Sequence, residues 1–429
     1  MIGLGVAGAS AARRLGERGW EVVVVEDRPS DASRERAAAL GVEVVEAPVD
    51  VAALVDAADV VVPSPGVPVG HDAIQHALAT GTTVWTEFEL AARWSDTPMV
   101  AITGTNGKTT VTTLVEAMLR ASGLRTASAG NTEVPLVDAI EDDLDVIVVE
   151  ASSFRLEFTE TFHPKVAVWL NLAEDHLDWH PTMEAYASAK ARIWAAQTSV
   201  DVAVVNAEDP VVTAHAREAK SRVVTFGLAT GDWRVADGEL RMPDGRALLP
   251  VDALWRSLPH DCTNALAASA AALAAGATED GVRSALRRFR GLPHRLVLVG
   301  DDGSVRFYDD SKATDPHAAL AALRAFDSVV LIAGGRNKGL DLSVLLDEVE
   351  HVRAVVAIGE AAAEVEATFA GDRPVTVATS MDAAVAAARA HARPGDAVVL
   401  SPACASFDWY RNYGERGDDF ARAVREALT

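Results

Sequence analysis

"VAITGTNGKTTVTTLVEA", residues 100–117, sets a glycine turn between an apolar run and a helical pattern. A buried strand, a tight turn and a helix start in this order build a phosphate loop, and they place a parallel α/β sheet at this point of the chain. A generic P-loop spells G-x-x-x-x-G-K-[ST], but counting back from Gly107, Lys108 and Thr109 finds Ile102 where the first glycine would stand. The stretch is therefore a shorter relative of that loop, or a Gly-Lys-Thr turn that only caps a helix. In the first case Gly104 and Gly107 let backbone N–H groups close around phosphate oxygens, Lys108 neutralises the outer phosphates, and the Thr109 hydroxyl ligates Mg2+.

Outward from this loop, residues 2–95 alternate Val-rich runs (22–25, 42–45 and 60–62) with Ala-rich helical patterns, as a parallel α/β unit does. The unit opens on Gly3, Gly5 and Gly8 in a G-x-G-x-x-G turn, with Glu26 after the second strand, the shape of a dinucleotide fingerprint. Alone, that turn admits an NAD-dependent oxidoreductase, which would leave Lys108, Glu150 and Lys190 without a role. Only Met1 and Ile2 precede Gly3 where a strand needs roughly five residues, so the first strand is expected to be clipped or to start upstream. A second α/β block runs from Pro98 through 145–154, 165–180 and 202–209, then short antiparallel strands around 231–245 and a helix over 264–276. "FRGLPHR" (289–295) reads as a linker, and strands at 305–308, 329–332, 355–358 and 398–400 alternate with helices beyond it. The expectation is an α/β protein of three domains: Rossmann-like over 1–95, a central P-loop ATPase type over 96–293, and a Rossmann-like C-terminal domain over 294–429.

The chain carries 39 basic and 62 acidic residues among 429, a net charge of −23, which argues against nucleic acid or an anionic membrane as partner. Two cysteines, Cys262 and Cys404, exclude a disulfide framework and point to a reducing cytoplasm. No run reaches the roughly 18 apolar residues of a membrane span. Six lysines stand against 33 arginines. A lysine kept in such a chain marks a place for a compact, modifiable charge, and four of the six (108, 190, 312, 338) fall in motif-like stretches.

Glu150 closes the run 146–149 and puts a carboxylate at the carboxyl end of a strand, either as a solvated end or as an oxygen ligand for a hard cation beside the phosphates. "EDHLDWH" gathers Glu174, Asp175, His176, Asp178 and His180. Its two histidines at i and i+4 allow a zinc reading, but no cysteine is near, and imidazole with carboxylates suits Mg2+ or Mn2+ equally. Tyr186 and Lys190, four apart, share one helical face. Past the linker, "YDDSKATDPHAAL" (308–320), "AGGRNKGLD" (333–341) and "SPACASFDWYRNYGERGDDF" (401–420) each follow a strand and offer an ammonium (Lys338) and hydroxyls (Thr314, Ser406) for a small dicarboxylate.

Together "TGTNGKTT", Glu150, "NLAEDHLDWHPTMEAYASAK", "LPHR" and "DDSKATDPHAAL" resemble, in order, the motifs of the Mur ligases, ATP-dependent amide ligases of peptidoglycan precursor synthesis. The ending resembles that of the members adding D-glutamate to UDP-N-acetylmuramoyl-L-alanine through an acyl phosphate; sister ligases of other amino acids or of folate glutamates, and a non-catalytic nucleotide-binding paralogue, are the alternatives. The resemblance implies an ATP site at Gly104, Thr105, Asn106, Gly107, Lys108, Thr109 and Thr110, with Asn264, Arg295 and Asp310 on adenosine. It implies two Mg2+ ions (or Mn2+), one on Thr109 and Glu150, the other on His176 and a carbamylated Lys190, and it makes Lys108, His176 and Lys190 catalytic. Asn131 would contact substrate and nucleotide, and Thr314, Lys338, Ser406 and Tyr413 would grip D-glutamate. Val6, Ala7, Glu26, Asp27, Arg28 and the turn Ser64, Pro65, Gly66 would face the UDP sugar. A cytoplasmic monomer follows from the same likeness. The sequence departs from the pattern at Thr132 and Glu133 (usually Ile-Gly), Arg155 (usually Gln), and Asp261 and Asp315 (usually Asn), and has Tyr413 for a common Phe.

Overall fold

In the strand Met99–Thr103, Val100 and Ile102 face one apolar core and Met99 and Ala101 another, all fully or nearly fully buried. Apolar residues on both faces of one strand mean that helices cover both faces of its sheet. The computed structural model describes residues 1–27, 29–46, 50–177 and 179–429. It shows a mixed α/β chain that divides into two compact units, Met1–Leu172 with Trp179–Phe289, and Ala173–Asp178 with Arg290–Thr429.

The first unit is built on a six-stranded parallel sheet in the order Arg222–Phe226, Val202–Asn206, Val166–Trp169, Met99–Thr103, Val146–Glu150, Thr126–Gly130. From Met99–Thr103 the chain first builds towards Thr126–Gly130, and then crosses to build on the other side. That makes the carboxyl end of Met99–Thr103 a topological switch point, where open sheets bind ligands. The helices Lys108–Ala121, Pro259–Ala274 and Glu279–Arg288 pack on one face. Glu87–Trp94 and the aromatic pair Trp169 and Trp194 lie in the core of the other. The expected antiparallel strands are Arg234–Ala236, Glu239–Arg241 and Ala247–Pro250. The expected helix over 264–276 starts earlier, at Pro259, because proline is tolerated in a first turn.

Ahead of this sheet, Val23–Glu26 pairs with Glu43–Glu46 and Val60–Val61 with Thr83–Val84, both parallel. Ile2 forms single bridges to Val25 and Pro63, so the short first strand joins the two pairs. In the second unit a six-stranded sheet runs Val297–Asp301, Arg306–Asp309, Ala397–Leu400, Val329–Gly334, Val352–Ile358, Val375–Val377; only the first of these is antiparallel to its neighbour. One face of this sheet is covered by Met381–His391 and Tyr413–Leu428. Among the described residues no helix is long and apolar enough to cross a membrane.

Candidate active site

Gly104 follows its strand at φ +152°, and a Cβ there would lie 3.0 Å from the Leu170 side chain; at Gly107, φ +87°, a Cβ would lie 2.6 Å from Asn264 Oδ1. Both positions exclude a side chain, which brings Asn264 against the loop. Among the described residues no side-chain hydrogen bond caps the helix starting at Lys108, whose positive dipole end lies at the loop. Asn171, not singled out from sequence, shapes the loop: its Oδ1 accepts the N–H groups of Thr105 (3.0 Å) and Asn106 (2.9 Å), and its Nδ2 donates to the Asn106 carbonyl (3.1 Å). Lys108 Nζ donates to the carbonyls of Gly104 and Thr105, both at 2.8 Å. The helical-turn reading accounts for none of these contacts between distant segments.

Glu150 is 3% exposed, which removes the solvated-end reading. Its Oε1 accepts from Asn131 Nδ2 at 2.9 Å, and the Asn131 N–H donates to the Glu150 carbonyl at 2.9 Å. Its Oε2 is buried and has no hydrogen-bond partner among the described residues. A carboxylate oxygen left bare costs several kcal/mol unless a cation takes it, so this donor fits a hard divalent ion. Lys190 is 1% exposed, far from the surface setting of an ordinary helical lysine; its Nζ donates to the Gly104 carbonyl at 2.9 Å and lies 4.4 Å from the Tyr186 ring centre. Tyr186 in turn places its hydroxyl 3.3 Å from Thr105 Oγ1. Thr109 and Thr110 stand in the first turn of the same helix as Lys108.

The turn at the start of the chain packs as closely. A Cβ on Gly8 would come 2.2 Å from Ser64 Oγ and 2.6 Å from the Gly3 carbonyl. Glu26 Oε2 accepts the Leu4 N–H at 3.0 Å, and Asp27 Oδ2 is 2.8 Å from His71 Nε2. Val6 and Ala7 open the helix Val6–Glu17, with Val6 exposed, and Pro65 and Gly66 continue the Ser64 turn. Arg28 lies outside the described residues.

The acidic and imidazole cluster splits between the units. His180 belongs to the first, is buried, and places Nε2 2.9 Å from Ser153 Oγ. His176 belongs to the second, with φ +58° and its Nε2 3.3 Å from Asp175 Oδ2. Asp178 lies outside the described residues. Asp175 also accepts from Lys338 Nζ at 3.2 Å. Burial raises the Asp175 pKa, but His176 and the Lys338 ammonium outweigh it and hold the carboxyl below its ordinary value. Among the described residues the metal-capable cluster is Glu348, Glu350 and His351, none of them an expected ligand.

The remaining expected residues gather at the carboxyl ends of strands in the second unit. Asp310 is buried and accepts the Leu296 N–H (3.1 Å) and the Ser401 hydroxyl (2.8 Å), while Arg295 sits between His294 and Leu296, both at positive φ. The loops of Arg336 and Ala405 exchange backbone hydrogen bonds at 2.8 and 3.0 Å, which sets the Lys338 loop beside Ser406. Thr314 follows Lys312, whose ammonium lies 4.9 Å from the Tyr413 ring centre. Arg416, missed from sequence, ties these loops: it donates to Ser311 Oγ (2.9 Å), the Ser311 carbonyl (2.8 Å) and the Cys404 carbonyl (3.0 Å). Burial pulls its guanidinium down to about 10. Its signal was an arginine on the apolar stripe of its helix, four before Phe420.

Residues 1–86 match the Mur ligase MurD-like N-terminal domain, 102–272 the Mur ligase middle domain, and 294–404 the Mur ligase glutamate ligase domain. A protein of Frankia casuarinae named UDP-N-acetylmuramoylalanine--D-glutamate ligase is 44% identical over 99% of this chain and 93% of its own length. The chain belongs to the Mur ligase family. A protein of the same name from Desulfosudis oleivorans is 42% identical over 99% of this chain and 95% of its own length. The solved structure of MurF from Acinetobacter baumannii covers 99% of this chain and 93% of its own with a TM-score of 0.65; at 17% identity it bears on the fold alone. Membership makes the protein an ATP-dependent amide-forming ligase of the Mur fold.

Three of the charged departures have hydrogen-bond partners in the structure. Arg155 is bonded to buried Glu87, Asp261 accepts from Arg256 at 2.6 and 3.0 Å, and Asp315 caps its helix by accepting the Ala318 N–H at 2.9 Å. Thr132 turns its loop on Val134, and Glu133 is exposed.

Proposed function

We propose that this Mur ligase joins D-glutamate to the L-alanyl carboxylate of UDP-N-acetylmuramoyl-L-alanine, with ATP converted to ADP and phosphate. The observation that carries the chemistry is the buried Glu150 carboxylate, one oxygen fixed by Asn131 and the other bare, beside a glycine loop with a helix start. The full-length kinship to proteins named for this reaction carries the substrate choice.

In this reading residues 104–110 wrap the phosphate chain with backbone donors, and Lys108 turns from its own loop carbonyls to the outer phosphates. Asn264, Arg295 and Asp310 hold adenosine. Thr109 and Glu150 would hold one Mg2+, and His176 with a carbamylated Lys190 a second; the bound ions supply charge neutralisation for phosphoryl transfer. A carboxylate oxygen of the substrate bonds to the γ-phosphorus as the bond to the β-phosphate oxygen breaks. The amine of D-glutamate, one proton lost, then bonds to the acyl carbon as the C–O bond breaks and phosphate leaves. Asn131 orients the carboxylate, and Thr314, Lys338, Ser406 and Tyr413 receive D-glutamate. Val6, Ala7, Glu26, Asp27, Arg28 and the turn Ser64 to Gly66 receive the UDP sugar. Three domains at 1–95, 96–293 and 294–429 would divide these tasks, in a cytoplasmic monomer.

The test is ADP release with UDP-N-acetylmuramoyl-L-alanine and D-glutamate, L-glutamate or meso-diaminopimelate. Turnover with D-glutamate alone is expected; turnover with another amino acid in its place, or with none, overturns the proposal.

A further inference from the structure

Thr86 and Glu87, at the start of the helix Glu87–Trp94, are buried and hold two loops that flank the bare carboxylate. Glu87 Oε1 accepts the Val137 N–H at 3.2 Å, just beyond the loop that carries Asn131. Glu87 Oε2 accepts from the Arg155 guanidinium, and Thr86 Oγ1 donates to the Arg155 carbonyl at 2.7 Å, in the loop that leads away from Glu150. Glu87 is 2% exposed and Arg155 8%. The next residue, Phe88, packs where a Cβ on Gly130 would meet its ring at 3.0 Å, directly before Asn131. One short helix start thus fixes the segments after Thr126–Gly130 and after Val146–Glu150, whose ends meet in the Asn131–Glu150 hydrogen bonds.

A buried ion pair is a poor source of net stability, since desolvating both charges offsets their attraction, but it is demanding in geometry. Burial raises the Glu87 pKa, opposed by the Arg155 charge and by the N–H groups of Val137 and Leu136. Building on the proposed function, we infer that Glu87 and Arg155 are a positioning pair which, through the hydrogen bond between Asn131 and Glu150, sets Asn131 for the carboxylate of the UDP-linked substrate without touching that substrate. The D-glutamate residues lie on the other unit's loops and do not depend on the pair.

The experiment uses the full chain as Arg155→Met, Glu87→Gln and the double variant Glu87→Gln/Arg155→Gln. Steady-state kinetics, calorimetric binding of UDP-N-acetylmuramoyl-L-alanine and the thermal midpoint are read. Each single variant is expected to raise KM and Kd for the UDP substrate about tenfold with KM for D-glutamate unchanged, as supporting partners of a site do. The double variant, whose amides can still bond each other and Val137, is expected within about threefold of the parent. A lowered thermal midpoint with unchanged KM and Kd for the UDP substrate makes the pair merely structural and overturns the inference. If Arg155→Met does not fold, a double variant no better than Glu87→Gln alone does the same. A parent that binds the UDP substrate but turns over no D-glutamate counts against the proposed reaction, while the binding arm still decides the pair.

Discussion

Two glycine–lysine loops with the same spacing sit at the carboxyl ends of interior strands, one in each unit: Gly104 to Lys108 and Gly334 to Lys338. Each holds two glycines at positive φ. The first runs straight into the uncapped helix Lys108–Ala121, and its lysine bonds its own loop carbonyls. As Thr105 and Asn106 of the first do on Asn171, the second spends N–H groups on neighbours, Gly334 on Pro402, Gly335 on Ile358 and Arg336 on Ala405. It continues into the 3-10 segment Leu342–His351, which Asp341 caps by accepting the Ser343 N–H at 2.8 Å, and its lysine reaches Asp175. Spacing alone therefore does not make an anion cradle. A helix start does, and the other loop offers only a point charge held by a carboxylate.

The sharpest way to break this contrast is at Lys190, which donates to the first loop through Gly104. Lys190→Ala is expected to lower ADP release by about a hundred- to a thousandfold, the scale of losing a group that stabilises transferring charge. Acetate should partly restore it by replacing the carbamate oxygens. Full activity in Lys190→Arg would refute the carbamate role. Next, Lys338→Ala should raise KM for D-glutamate about tenfold or more with KM for ATP unchanged, as expected for loss of a charge-assisted contact. A change confined to ATP would reverse the assignment of the two loops.

Gly107→Ala should weaken ATP binding, since φ +87° and the 2.6 Å approach of Asn264 both oppose a methyl group, while Gly335→Ala should lower the thermal midpoint through its 2.3 Å clash with the Ala405 carbonyl. Nucleotide titration and thermal melts of both variants separate the two effects. The smallest effect expected is in acid. Burial raises the pKa of Asp396, the buried residue just before the strand Ala397–Leu400, but Arg353 and the Arg393 N–H hold it below its ordinary value of 3.8. A carboxylate depressed on folding adds stability above its unfolded value, and that stability is lost as pH falls through the folded one. Asp396→Asn should therefore cost about 2 kcal/mol at pH 7 and little well below pH 3.8, by denaturant melts at both pH values.

Much of the fold was legible because its signals are local. Runs of Val and Ile, the glycine turn before Lys108 and the proline and glycine of 289–295 fix strands, loop and linker from neighbours in the chain. The unit boundary at Phe289 and Arg290 falls in that linker. Two residue types were also legible for chemical reasons: a lysine among arginines, and an acid closing an apolar strand.

What the sequence determined by itself was therefore the order of elements and the α/β class, since these follow from periodicity and side-chain chemistry. Only the tertiary structure decided that Lys190 is buried on Tyr186, that one Glu150 oxygen is bare, and that His176 and His180 part company between units. The same holds for Asn171, Arg416 and the Glu87–Arg155 pair, whose partners lie tens of residues or more away along the chain for most of their contacts. Burial and long-range hydrogen bonds belong to the packed chain, and no pattern of neighbours encodes them.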